Sequence, residues 1–129
     1  MCIRVRLISS YIVVAMIGIM IFFTIAVAPT VFKVLPPEWA SKYVRSFFPK
    51  YYAVLGVLSI LAAFLASNVL TSGLLIVCAV LFLFALWILT PAINKASDAK
   101  ERQKFGVLHG FSVVINVVQL IIFVYLIWP

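Results

Sequence analysis

The sequence predicts an all-α fold, an integral membrane four-helix bundle formed by one transmembrane domain, residues 1–129. Hydrophobic residues make up 67% of the chain and charged residues only 10%, whereas soluble globular proteins are roughly 45–50% apolar and about 25% charged. The apolar residues are also concentrated in four long runs. Because such a chain cannot cover its apolar surface with hydrated groups, we expect the lipid bilayer to be its main partner.

The four apolar runs are the predicted membrane spans. A helix that crosses a bilayer needs roughly 20 apolar residues, and none of the runs contains Asp, Glu, Lys or Arg. The second and third are short for a full crossing, so we expect their helices to extend beyond them. Basic loops at 29–50 and 91–106 separate the spans on one side. The spans are predicted at about residues 7–28, 51–66, 74–89 and 107–128.

The basic residues are distributed unequally between the two ends of the predicted bundle. Each long loop carries four Lys or Arg residues, whereas the opposite side has only Arg4 and Arg6. The positive-inside rule then places both long loops in the cytoplasm and both termini outside, as in a bacterial inner-membrane protein. Arg4 and Arg6 favour the reverse orientation, because the first helix often dominates. We therefore attribute the net charge of +7 to topology and expect no nucleic-acid partner.

Both basic loops contain helix signals. "PPEWASKYVRSFFPKYY" alternates aromatic and basic residues, which suits either a short helix lying among the lipid headgroups or an aromatic belt around the second span. In "SDAKERQKF", Asp98 precedes Glu101 by three residues, as in a capping box. This spacing predicts that the fourth helix begins near Asp98 and continues through Gly106.

A polar stripe runs along the fourth predicted span. It consists of His109, Ser112, Asn116 and Gln119. A helix turns about 100° per residue, so these side chains fall within about 80° of arc. At about 1.5 Å per residue, they extend about 15 Å from the basic side toward the bilayer centre. We therefore expect this face of the helix to be hidden from lipid.

The polar stripe has possible partners on the third span. Thr90, Asn94 and Asp98 recur at intervals of four residues and continue to the same basic side. In an antiparallel hairpin, the two polar edges could meet. Two interpretations of the stripe remain open. Interhelical polar contacts, worth about 0.6 kcal/mol on average, would only fix helix register, whereas a cavity lining would mark a path for a solute.

Sites for metals, cofactors or catalysis receive little support from the sequence. His109 is the single histidine and a candidate metal ligand, but metal and haem sites usually need further His, Cys or Met ligands. Cys2 and Cys78 form no CxxC pair, and no phosphate loop, nucleophile motif or carboxylate pair occurs within a span. We therefore expect no cofactor, and a non-enzyme is favoured over an enzyme that uses His109.

Several motifs together resemble a known family. "VAPTVF" ends the first span, "FFPKYY" opens the second, "TPAINKASD" closes the third and "FGVLHGFSVVIN" begins the fourth. Over nearly the whole chain, they resemble the small membrane family of transmembrane protein 205, whose domain has no assigned biochemical function. The resemblance implies a four-helix integral membrane protein. Its most specific part is the series Pro91, Asp98, Phe105, His109, Ser112 and Asn116.

These observations favour one functional class over a second. The favoured class handles a small solute or metal, as a transporter or as an accessory subunit. Because four spans are few for a transporter, this class predicts a homo-oligomer. The alternative is a structural or assembly subunit of a larger membrane complex, in which the polar stripe serves packing.

Overall fold

The computed structural model describes residues 2–129, with the side chains of residues 4–129, and confirms the predicted all-α fold. Nearly all of these residues are helical, and none of them lies in a strand. They form four continuous helices, two of which contain a π-helical turn. The first comprises Cys2–Phe22, the π turn Phe23–Val27 and Ala28–Val34; the second is Pro37–Leu65; the third comprises Val69–Phe84, the π turn Ala85–Leu89 and Thr90–Asp98; the fourth is Arg102–Ile127.

The four helices form an antiparallel up-and-down bundle. The first helix packs against the second and fourth, and the third also packs against the second and fourth. Each of the four is long and apolar enough to cross a membrane. Many large apolar side chains lie on the outer surface, including Phe22, Phe64 and Trp87, as expected for a lipid-facing exterior. The fold fits an integral membrane protein.

The two long basic segments are not loops, and this part of the sequence prediction is wrong. Most of residues 29–50 and most of residues 91–106 are helical, so the connections shrink to residues 35–36, 66–68 and 99–101. Proline cannot donate a helical hydrogen bond, but Pro37 occupies the first turn of the second helix, where a missing N–H costs nothing.

The two π turns explain how the first and third helices pass through a proline. Each π turn ends two residues before one, at Pro29 and Pro91. A proline ring clashes with the carbonyl group four residues earlier, and the wider π turn relieves this clash. The Thr90 hydroxyl also donates to the Ala85 carbonyl at 2.8 Å. Both helices therefore continue beyond the predicted ends of their spans.

The structure also decides against one of the two alternatives for the aromatic and basic segment and corrects the cap predicted at Asp98. The aromatic and basic segment is not a separate interfacial helix, since the second helix runs from Pro37 through Pro49 without interruption. Asp98 does not cap the fourth helix but ends the third. The chain then turns through Lys100, which has a φ of 56°, and the fourth helix begins at Arg102. The Asp98 carboxylate is instead bound by Arg45.

A candidate solute cavity at the basic end

A cavity of about 310 Å³ opens at the basic end of the bundle, between all four helices. Small-molecule sites usually measure about 300–1,000 Å³ and combine an apolar wall with a few polar groups. This cavity has that composition. Its apolar wall is formed by Phe32, Leu35, Pro37, Ala40, Val44, Phe48, Ile93 and Phe105. Its polar groups belong to Ser41, Arg45, Tyr52, Thr90, Asn94, Ser97, His109 and Ser112.

The cavity brings together part of each predicted polar edge. Thr90 and Asn94 from the third helix line the same space as His109 and Ser112 from the fourth. This juxtaposition depends on the antiparallel packing of the two helices at the basic end. The other predicted site residues lie outside the lining: Asp98 is at the rim, and Asn116 and Gln119 are deeper in the bundle.

An ion pair between Arg45 and Asp98 forms the rim of the cavity. The guanidinium group is bidentate: Arg45 Nη1 donates to Asp98 Oδ2 at 3.2 Å, and Nη2 donates to Oδ1. Nη2 also lies 3.5 Å from the Asn94 carbonyl oxygen. The pair joins the second helix to the end of the third. Sequence reasoning treated Arg45 only as a topological charge and missed this role, although Asp98 is one of only three acidic residues.

His109 belongs to the cavity wall. Its ring stacks on the Phe105 ring, one helical turn earlier, with centroids 5.8 Å apart and an interplanar angle of 1°. The imidazole is exposed at the cavity mouth. Among the residues that the structure describes, no three His, Cys, Asp or Glu side chains are grouped closely enough to hold a metal ion. The His109 ring therefore borders the open space of the cavity.

Tyr52 and Ser112 form the floor of the cavity. The Ser112 hydroxyl donates to the His109 carbonyl at 2.7 Å. Asn116 Nδ2 donates to the Ser112 carbonyl at 2.9 Å and lies 3.5 Å from Tyr52 Oη. Tyr52 was also missed from the sequence, because a tyrosine at the start of a span is typical of an ordinary interfacial residue.

The deeper half of the polar stripe points into the bundle. Ser112 and Gln119 are only 7% and 1% exposed, and Asn116 is half-buried. Gln119 Nε2 donates to the Cys78 carbonyl at 3.0 Å and so joins the fourth helix to the third. Valines on the opposite side of the fourth helix, such as Val114, face outward. The helix thus turns these polar side chains away from lipid, while His109 lies at the open end.

A comparison with protein-family models shows which family the chain belongs to. The model for a domain of unknown function, DUF4149, matches residues 11–102. No curated protein and no solved structure matches the chain. The matched region contains most of the first helix and all of the second and third, and it ends where the fourth begins. The chain therefore belongs to the DUF4149 family, which is defined by a domain of unknown function.

Proposed function

We propose that this protein handles a small, partly apolar solute in the cavity at its basic end, as a transporter or as an accessory subunit of one. The observation that carries the proposal is the convergence of polar side chains from three helices on an otherwise apolar cavity of ligand size. Packing alone would have filled this space with side chains, since protein interiors are close-packed. The open volume instead leaves Asn94, His109 and Ser112 facing it.

The chemistry of the lining favours a neutral amphiphilic solute over an anion or a metal ion. Arg45 is the single cation in the lining, and its charge is matched by Asp98 at the rim. The remaining polar groups are hydroxyls, an amide and the imidazole of His109, which exchange hydrogen bonds without a fixed charge. The aromatic walls, including Phe48 and Phe105, suit an apolar body.

Filling the cavity tests the proposal. Ser41 lines the cavity, whereas Ser46, on the same helix, is exposed outside it. We expect Ser41→Trp to abolish the retention of small molecules in native mass spectra of the protein in nanodiscs. Ser41→Trp should also fail to complement a deletion strain grown on a panel of toxic amphiphiles and metals. Ser46→Trp is the matched control and should behave as wild type. Equal activity of the two variants would refute the proposal.

We also propose the orientation that the charges favour, with the cavity open to the cytoplasm and both termini outside. We further propose that the protein lies in a bacterial inner membrane and that it is related to the transmembrane protein 205 family. We expect alkaline phosphatase fused after Pro129 to be active and green fluorescent protein fused there to be dark. A fluorescent C-terminal fusion would show the opposite orientation, with the cavity open to the outside.

An assembly subunit is the second candidate, and the fourth helix supplies the observation that favours it. Gly106 and Gly110 are separated by four positions, and a Cβ atom added to either would meet nothing within 4 Å. Small residues at this spacing allow close approach of another transmembrane helix. In this case, Ser41→Trp would leave solute levels unchanged, and substitutions in the polar stripe would lower the abundance of a membrane complex.

A further inference from the structure

Two buried oxygen atoms lie below the floor of the cavity without a hydrogen-bond donor. They are Oδ1 of Asn116 and Oε1 of Gln119, and neither has a partner among the described residues. Asn116 lies one turn beyond Ser112, about 6 Å along the helix, and Gln119 lies about 10 Å beyond it. Buried polar groups nearly always have a partner, either in the protein or in ordered water. These two acceptors therefore lack the donor that a buried polar group nearly always has.

Rotating the amide groups does not remove the unpaired oxygens. The amide nitrogen of Asn116 donates to the Ser112 carbonyl, and that of Gln119 donates to the Cys78 carbonyl. A carbonyl oxygen only accepts. Exchanging the nitrogen and oxygen of either amide would set two oxygens against each other and leave the nitrogen unpaired. The orientation of both amides is therefore determined, and each oxygen needs an external donor.

Apolar side chains of the core pack around the level of Gln119. Phe123, one turn further along the fourth helix, and Leu75 of the third helix are fully buried, and the buried Phe82 ring contacts the rings of both Tyr52 and Phe123. In the other direction, Asn116 contacts both floor groups of the cavity, Tyr52 Oη and the Ser112 backbone. A small donor would therefore reach the two oxygens from the cavity side and go no further.

We propose that the bundle binds water at these two amide oxygens, so that the cavity continues as a hydrated half-channel to the level of Gln119. Side chains three positions apart on a helix are neighbours, with Cβ atoms about 5–6 Å apart. One or two water molecules therefore serve both oxygens, and the half-channel ends at Phe123. The hydration site lies below the cavity and does not depend on which solute, if any, the cavity holds.

Water-edited solid-state NMR of the protein in nanodiscs tests this proposal. We expect magnetisation from water to reach the side-chain amides of Asn116 and Gln119 several-fold more strongly than the backbone amide of Val117, which lies at the same depth on the outer face. Transfer to Gln119 that is no greater than transfer to Val117 would overturn the proposal. Transfer from a non-protein, non-water proton would also overturn it and assign the site to a solute.

A pair of variants provides an independent check. Asn116→Leu removes the first acceptor on the path, and we expect water transfer to Gln119 to fall several-fold. Val117→Leu alters the outer face of the same turn and should leave that transfer unchanged. Unchanged transfer to Gln119 in a folded Asn116→Leu variant would overturn the continuous path. A failure to bind solutes, by contrast, would remove the proposed function and leave these water contacts as they are.

Discussion

Phe82→Ala is expected to destabilise the bundle by about 3 kcal/mol, near the lower end of the range for truncating a buried phenylalanine. The Phe82 ring is fully buried, and its centroid lies 6.4 Å from that of Tyr52 and 6.2 Å from that of Phe123. Lipid tails are as apolar as this core, so the loss arises from packing and from the space left behind rather than from transfer to water.

Thermal unfolding or steric trapping in nanodiscs measures this effect. Phe64→Ala is the matched control, because the Phe64 side chain is 80% exposed on the outer surface and its removal exchanges a lipid contact for another lipid contact. We expect it to change the free energy of unfolding by a few tenths of a kcal/mol, as for surface substitutions in general. Similar losses in the two variants would contradict the observed packing of the bundle.

On the proposed function, reversing the charge of Arg45 is expected to open the cavity and release the solute. In Arg45→Asp, two carboxylates face each other across the rim, so the second helix and the end of the third lose their bidentate link and repel each other. Asp98→Arg should have the same effect through two guanidinium groups. The double variant, Arg45→Asp with Asp98→Arg, restores opposite charges and should recover most of the solute retention.

Spin-label distances between the second and third helices, together with native mass spectra, measure this result. Lys42→Asp is the control, since it makes the same change in charge but disrupts an exposed pair with Glu38 within a single helix. We expect the control to retain the solute. If the double variant is no better than either single variant, Arg45 acts on the solute directly and the rim pair does not hold the cavity together.

The amino-acid composition and the four uncharged apolar runs were enough to predict the membrane bundle and its four helices. Apolar runs without charges leave few other folds open to this chain, because unpaired backbone groups are costly in lipid and helices satisfy them internally. The helix ends could not be predicted in the same way. Proline normally ends a helix, but the first and third helices continue past Pro29 and Pro91 after a π turn, and the second helix continues past Pro49.

The polar face of the fourth helix could be read from spacing, since the angle between residues on a helix is fixed. Of its neighbours, only the polar edge of the third helix, with Thr90 and Asn94, was predicted from the sequence. The contacts of Gln119 with the third helix, of Asn116 with Tyr52 and of Arg45 with Asp98 join residues that lie 41, 64 and 53 positions apart. The periodicity of one helix does not predict contacts between residues that lie so far apart in the sequence.

By itself, the sequence determined that this protein is a helical membrane bundle and that one of its helices carries a hydrophilic edge. Only the tertiary structure decided that this edge borders an open cavity, that an arginine and an aspartate form an ion pair at the cavity rim, and that two amide oxygens lie buried without a donor. The physical reason is that hydrophobicity and helical period are properties of a single segment. A cavity and its unpaired groups exist only where several segments meet and leave space between them.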